Sequence, residues 1–184
     1  MDESMETTSG RRGLVARAIG AALLNVDVYE EVEADRTATG QAAVVVACVA
    51  IAMAIGGAND GTASVIGGLI SGFVGWLMWA AVTNFVGTRV FGGTADWGEL
   101  LRTLGFAQAP KVLWVFGAIG LATPLGYVLG IWTLITGVVA IRQALDFSTG
   151  KAVLTAVIGA VAVFVSAVLI GMLVALVIGR AVVS

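Results

Sequence analysis

The chain has no histidine, a single cysteine and two prolines, and only 12% of its residues are charged. Without histidine, it lacks the commonest acid–base catalyst and metal ligand of proteins. A single cysteine, Cys48, cannot form a disulfide within the chain, and its apolar surroundings predict a small side chain packed against lipid or core. The net charge of -2 argues against a nucleic-acid-binding protein, which would carry a basic face. We therefore expect no catalytic residue, no metal ligand and no cofactor.

Hydrophobic residues make up 59% of the chain, and the mean hydropathy is +1.00. Soluble domains carry about a quarter charged residues, so the solvent for this chain is expected to be a lipid bilayer. The composition and the long apolar runs predict an all-α, polytopic transmembrane helical bundle of about five spans. The spans are expected over residues 41–58, 65–87, 111–123, 125–143 and 152–178.

Residues 112–144 decide the number of spans. As one straight helix they would be about 50 Å long, whereas the hydrocarbon core is about 30 Å thick. Pro124, in the sequence "ATPLG", would also disrupt a helix. The pattern favours two short spans joined by a turn at "ATPLG", and a single crossing or a re-entrant hairpin remains an alternative.

Residues 1–40 predict a cytoplasmic segment with an amphipathic helix in the membrane interface, followed by a transmembrane domain over residues 41–184. Apolar residues recur at helical spacing from Gly13, and Arg12 and Arg17 could reach lipid headgroups from the same helix. A second amphipathic turn is expected where Val28, Tyr29 and Val32 lie. Its acidic residues should point into water or towards a partner.

Basic residues favour one side of this topology. Of the ten Lys and Arg residues, Arg180 alone falls on the opposite side from the others. Cytoplasmic loops are enriched in Lys and Arg. We therefore expect a multi-pass protein of the cell membrane with a cytoplasmic N-terminus and an external C-terminus.

Small residues recur at a spacing of four in several predicted spans. This spacing lets helix backbones approach closely, either within the bundle or in a homo- or hetero-oligomer. The candidate helix-packing residues are Gly68, Gly72, Gly126, Gly130, Gly171, Ala175 and Gly179. Thr83 and Asn84 are the strongest polar groups inside a predicted span, and we expect them to hydrogen-bond a neighbouring helix or, in a transporter, to line a path.

An amphipathic, charged segment, "GGTADWGELLRTLGFAQAPKV", lies between two apolar runs. Asp96 and Glu99 suit the first turn of a helix that begins near Asp96. Its apolar stripe predicts a helix lying in the cytoplasmic interface, with Arg102 facing water or headgroups. Pro110 suits the start of the third span.

Part of this segment, "LLRTLGFAQAPKVL", resembles the signature of the Yip family of multispanning membrane proteins. The matching residues are Trp97, Leu101, Gly105, Phe106 and Pro110. The stretches "LLNVDVYEEVEADRT" and "IWTLITGVVAIRQALDFSTGKAVLTAV" extend the resemblance to roughly residues 15–180.

This resemblance implies five helices and a cytoplasmic N-terminus. Eukaryotic members act in vesicle trafficking, bind prenylated Rab GTPases and associate with each other. Their acidic "DLYGP" motif has no match here, so a Rab-type GTPase is not an expected partner. Eight arginines against two lysines, with abundant Ala, Gly and Val, indicate the prokaryotic branch.

These features predict a non-catalytic membrane protein that organises the lipid bilayer or holds partner proteins. An oligomeric transporter or channel for small solutes is one alternative, supported by Thr83, Asn84 and the break at Pro124. An accessory subunit of a larger membrane complex is another. The chain is not expected to be an enzyme.

Overall fold

The computed structural model describes residues 12–58 and 61–183, and these residues are helical without any β-strand. The α-helices are α1 (Leu14–Ala22), α2 (Val26–Ala34), α3 (Ala38–Gly56), α4 (Thr62–Asn84), α5 (Trp97–Ala107), α6 (Ala122–Ala144) and α7 (Thr149–Val183). A π-helical turn, Phe85–Val90, continues α4, and a 3-10 helix, Ala109–Ile119, joins α5 to α6. The all-helical prediction is confirmed for the described residues.

Four helices in the described part of the chain are long and apolar enough to cross a membrane. They are Ala38–Gly56, Val65–Val90, Thr123–Ala144 and Thr149–Val177. At about 1.5 Å per residue, the shortest of them is about 28 Å long, which is close to the ~30 Å of bilayer hydrocarbon. These helices confirm that the chain is a multi-pass membrane protein.

Helices α3 and α4 run antiparallel with their backbones close together. Gly68 of α4 lies against Met53 and Ala54 of α3, and Gly72 lies against Ala50. A Cβ atom placed on Gly72 would come within 2.7 Å of the Ala50 Cβ, closer than real Cβ contacts. Glycine is therefore what lets these two helices approach.

Helices α6 and α7 complete the bundle against α4. Gly75 of α4 faces Val163 of α7, whereas Trp79 lies against Gly159 of α7 and Gly137 of α6. Higher residue numbers on α4 thus meet lower numbers on α7, which makes these two helices antiparallel. The Trp79 ring fills the space that the two glycines leave.

The expected third span over residues 111–123 is not confirmed as an α-helix. Ala109–Ile119 is a 3-10 helix of 11 residues, and at about 2.0 Å per residue it covers about 22 Å. It runs along α3 towards the Gly56 end, where Trp114 lies against Gly56. The segment therefore advances in the same direction as α3, but it is shorter than the hydrocarbon thickness.

The expected turn at "ATPLG" lies a few residues earlier than predicted. The reversal occurs at Gly120, which has a φ of 85°, a left-handed conformation that favours glycine. Helix α6 then begins at Ala122, so Pro124 lies in its first turn. Proline is tolerated there because the first N–H groups of a helix have no partner within that helix.

Helices α1, α2 and α5 form one layer, the end layer, at the end of the bundle where α3 begins. Its buried side chains, including Tyr29, Leu100 and Phe106, belong to the same hydrophobic core as α3, α6 and α7. Val28, Tyr29 and Val32 are fully buried as the predicted amphipathic turn requires. The described part of the N-terminal segment thus shares its core with the membrane helices.

The expectation that α5 lies flat in the membrane interface is not confirmed. Every residue from Arg102 to Gln108 is buried, and Gly105 fits under Ala42 of α3 and Trp76 of α4. The indole N–H of Trp76 donates to the Leu101 carbonyl at 3.0 Å. Because both faces of its second half are covered by protein, that half of α5 packs into the bundle and does not lie against lipid.

Candidate functional site

A buried arginine, Arg17, joins the three segments that meet at the N-terminal side of the end layer. Its Nη2 atom donates to Asp35 Oδ2 at 2.8 Å and to Glu31 Oε1 at 2.9 Å, and its Nη1 atom donates to Gln41 Oε1 at 2.9 Å. The side chain is only 1% exposed. The guanidinium therefore links α1 to α2, to the turn after α2 and to the first part of α3.

This network shifts the pKa of its charged members in the directions that favour the ion pairs. Burial opposes the charge on Arg17, but hydrogen bonds to Asp35 and Glu31 outweigh it and raise the Arg17 pKa. Burial likewise opposes the charge on Glu31, while hydrogen bonds from Arg17 and Arg12 bring its pKa below the ordinary value. The expectation that Arg17 reaches lipid headgroups is wrong, because carboxylates within the protein bind it instead. Arg12, expected to reach the headgroups too, pairs with Glu31 at 2.9 Å.

A second buried arginine, Arg102, caps the C-terminal end of α2 from α5. Its Nη2 atom donates to the Glu33 carbonyl at 2.6 Å and its Nε atom donates to the Val32 carbonyl at 3.0 Å. The last carbonyls of a helix have no partner within that helix and carry its negative dipole end, so a cation is stabilising there. The expectation that Arg102 faces water or headgroups is therefore wrong.

The N-terminal end of α5 carries a capping box, formed by the two acids expected in its first turn. The Glu99 N–H donates to Asp96 Oδ1 at 2.8 Å, and the Asp96 N–H donates to Glu99 Oε2 at 2.9 Å. Each side chain satisfies a backbone donor at the start of the helix. The cap fixes where α5 begins, and thereby places Arg102 at the end of α2.

The family-motif residues occupy different surroundings on α5 and the 3-10 helix. Gly105 and Phe106 are buried, and Pro110 is buried at the start of the 3-10 helix, while Leu101 is half-buried. Trp97 is 44% exposed at the first turn of α5. The motif therefore combines residues that pack α5 into the bundle with one aromatic ring at the surface.

An acidic cleft of about 290 Å³ opens where α2, α5 and the turn after α6 meet. Its charged lining consists of Glu30 and Glu33 of α2, Glu99 of α5 and Asp146 of that turn. Gln143 also lines it, and its Nε2 atom donates to Glu30 Oε1 at 3.1 Å. No group of three or more His, Cys, Asp or Glu residues within 12–58 and 61–183 is placed to hold a metal ion.

Glu33 is the carboxyl group most affected by this cleft. Burial raises its pKa, the neighbouring carboxylates of Glu99, Asp146 and Glu30 raise it further, and Arg102 opposes them, so that the pKa is about 7. The Arg102 guanidinium is engaged with backbone carbonyls of α2. The cleft can therefore take up a proton near neutral pH.

The two polar residues expected inside a span, Thr83 and Asn84, differ in burial. Thr83 is fully buried on the face of α4 towards Gly159, and within the described part of the chain its hydroxyl has no hydrogen-bond partner. Asn84 is half-buried, and its backbone carbonyl accepts a hydrogen bond from the Thr88 hydroxyl at 2.6 Å. Of the two, Thr83 is the one that faces the interior of the bundle.

The sequence did not single out a group of polar residues near the start of the 3-10 helix. Lys111 Nζ donates to Gln108 Oε1 over 3.5 Å, and none of the described carboxylates forms an ion pair with Lys111. Among the described residues, Gln108 Nε2 and the buried Thr133 hydroxyl of α6 have no partner. The Thr136 hydroxyl, one turn along, donates to the Ala107 carbonyl at 2.6 Å. Lys111 was expected at the first residue of a span over 111–123, and therefore outside the bundle. For that reason the polar residues around Lys111 were not recognised as a group.

The remaining candidate helix-packing residues divide into two kinds. Gly126 lies against the Trp114 ring, so it serves contact between α6 and the 3-10 helix. Gly130 and Gly171 have open space beside them, and Ala175 is exposed, so these three face away from the described bundle. Gly179 lies in the last part of α7, outside the residues whose side chains are described.

In the part of the chain that the structure describes, four membrane-length helices and a covering layer of three shorter helices at one end define a multi-pass helical membrane protein. The chain belongs to the Yip family, because the family model of the Yip1 domain matches residues 23–172. The resemblance seen in the sequence is thereby confirmed. Searches of curated proteins and of solved structures found no match.

Proposed function

We propose that this Yip-family chain is a non-catalytic membrane scaffold that organises the bilayer or holds partner proteins. The observation that carries the proposal is the end layer, in which two buried arginines fix α1, α2 and α5 to one another. Arg17 binds Glu31 and Asp35, and Arg102 binds the last carbonyls of α2. Buried charges are thus used to hold a surface in shape, which is what a docking platform requires.

We also propose that this layer faces the cytoplasm of a prokaryotic cell and that the chain lies in its cell membrane. The bias of Lys and Arg towards the end layer supports this orientation, and the excess of arginine over lysine supports the prokaryotic branch. A Rab-type GTPase is not proposed as a partner, since the chain lacks the acidic Gly-Pro motif. The exposed apolar face of α1 suits an interfacial position beside lipid.

Five crossings are proposed, with the 3-10 helix as the third. Its direction along α3 supports this count, because Gly105 lies against Ala42 near the start of α3, whereas Trp114 lies against Gly56 at its end. The C-terminus would then lie outside the cell. A reporter fused at Ser184 should be active only outside; a reporter active in the cytoplasm there would show four crossings instead.

Partner capture tests the scaffold role. The tagged chain is crosslinked in its native membrane and purified in mild detergent, and the mass of the particle is measured. We expect a stoichiometric second copy or a second protein in wild type and in Arg142→Gln, which alters an exposed side chain. Arg102→Met should lose it, because α2 is no longer capped. Turnover or transport by the purified chain alone would overturn the proposal.

A small-solute transporter or channel is the second candidate. The interior polar groups favour it, since Gln108 Nε2, Thr83 and Thr133 have no partner among the described residues. Lys111 Nζ lies 3.5 Å from Gln108 Oε1. Such a protein should show flux in liposomes that Lys111→Met and Asn84→Leu reduce. Flux no higher than in empty vesicles would exclude this role.

An accessory subunit of a larger complex is the third candidate, and it differs from a scaffold in needing one obligate partner. The exposed small residues Gly171 and Ala175 would suit contact with such a partner. Expression of the chain alone distinguishes the two. A subunit should be degraded or aggregate without its partner, whereas a scaffold should be stable.

A further inference from the structure

An apolar groove of about 360 Å³ lies between α1, α3, the 3-10 helix and α6. Val15 and Ile19 line it from α1, Cys48 from α3, Leu113 from the 3-10 helix and Trp132 from α6. All the residues that line the groove are apolar, apart from the thiol of Cys48 and the indole N–H of Trp132. A ligand for this groove must therefore be recognised by its apolar surface.

The groove is a fixed feature of the fold, because α1 is attached on both sides of it. The Trp132 indole N–H donates to the Ala22 carbonyl at 2.8 Å and so holds the end of α1 to α6. Arg17, on the face of α1 away from the groove, binds Asp35 and Glu31. Both attachments hold α1 beside the groove.

The groove is continuous with the surface that faces lipid. Cys48 is exposed, and its neighbours on α3, Val44 and Ile51, are 48% and 53% exposed. These residues belong to a helix long enough to cross the membrane. On the other side of the groove, Val15 and Ile19 of α1 are 65% and 55% exposed. A lipid beside α3 can therefore enter the groove without crossing a polar surface.

The volume of the groove suits a hydrocarbon chain better than a protein helix. A helix with its side chains is about 10 Å across, so a volume of this size would take only about one turn of it. We propose that the groove binds one acyl chain of a bilayer phospholipid, with α1 as its cover. This goes beyond the scaffold role and does not depend on it.

Photocrosslinking tests the proposal directly. Purified protein in mild detergent is titrated with phosphatidylcholine that carries a diazirine near the end of one acyl chain, and adducts are mapped by mass spectrometry at each ratio of lipid to protein. We expect adducts concentrated on α1 and on Val112 and Leu113, saturating at one lipid per chain. Adducts spread over the exposed face of α7, at Phe164 and Leu173, in proportion to exposure would overturn it.

A groove-filling variant with a matched control gives a second readout. Cys48→Trp should reduce adducts on α1 several-fold, whereas Ile51→Trp, one turn along the exposed face of α3 and outside the groove, should leave them unchanged. Equal loss in both variants would contradict the proposal. A dimeric particle with no adducts on α1 would also overturn it, because a second copy would then occupy the groove. The wild-type map remains decisive if Cys48→Trp does not fold.

Discussion

Replacing Arg17 by methionine gives the sharpest test of the end layer. Methionine keeps the unbranched stem of the side chain but removes the guanidinium. Asp35 Oδ2 and Glu31 Oε1 then lose a donor at 2.8 and 2.9 Å, and Gln41 Oε1 loses another. The variant thus removes the guanidinium that binds both Asp35 and Glu31.

The structure sets the size of the effect. Removing one partner of a buried ion pair costs about 3–5 kcal/mol, because the other charge stays buried. The Asp35 side chain is 7% exposed, but that of Glu31 is 24% exposed and keeps its pair with Arg12. We therefore expect the lower end, about 3 kcal/mol. At about 2–4 °C per kcal/mol for a chain of this size, Tm should fall by about 6–12 °C.

Thermal unfolding in one detergent, followed by tryptophan fluorescence at a fixed scan rate, measures this change. Arg12→Met is the matched control, since Arg12 is 41% exposed and binds Glu31 alone among the described carboxylates. An exposed pair contributes about 0–1 kcal/mol, so this control should barely change Tm. If Arg17→Met lowers Tm no more than Arg12→Met does, the reasoning about the buried network is refuted.

Three further predictions concern other parts of the fold. The raised pKa of Glu33, about 7, contributes stability that is fully present below the ordinary pKa of a glutamate and is lost as pH rises through 7. Wild-type Tm should therefore fall from pH 6 to pH 8, and Glu33→Gln should flatten that fall. The same pH profile of Tm in the variant and in wild type would contradict this prediction. Gly72→Ala should lower Tm, because the new Cβ would collide with Ala50. Gly130→Ala is the control: its new Cβ enters open space, so Tm should stay unchanged or the free energy of unfolding should rise by up to about 1 kcal/mol. Equal effects of the two substitutions would argue against close packing at Gly72. Arg102→Met should speed amide hydrogen exchange in the last turn of α2, because the carbonyls there lose their donor. Exchange is measured by mass spectrometry, with Arg142→Gln as the control. Equal exchange rates in the two variants would show that Arg102 does not cap α2.

Local patterns predicted the parts of this fold that depend on neighbouring residues. The start of α5 near Asp96 was predicted because Asp96 and Glu99 suit the first turn of a helix. The burial of Tyr29 with its neighbours follows from helical spacing, and the four long helices follow from apolar runs of sufficient length.

The two buried arginines could not be placed in this way. The Arg17 partners Glu31 and Asp35 lie 14 and 18 residues away, and the Arg102 partners lie 69 and 70 residues away. Nothing in the local pattern distinguishes an arginine that reaches headgroups from one that binds a distant helix end. The family resemblance helped with the fold alone, since it fixed no partner for either side chain.

The 3-10 helix is the other feature that sequence could not supply. Its apolar residues suit an α-helical span, and its conformation depends on contacts with α3 and α6, such as Trp114 between Gly56 and Gly126. Because Lys111 was counted with the loop before this span, the polar group around Gln108 was missed.

The long separation between Arg102 and the end of α2 has a consequence for how the protein is made. While the ribosome is still translating the chain, Arg17 can meet Glu31 early, so α1 and α2 can pair as soon as both have emerged. Their attachment to the rest of the bundle must wait for α5, and then for Trp132 and Gln143 of α6, which lie 110 and 113 residues beyond their partners. Until α6 has been inserted, the apolar side of α1 and α2 is uncovered and open to other proteins or to lipid. The end layer is therefore expected to close late, only after α6 has been made, and a chaperone would be most useful before that stage.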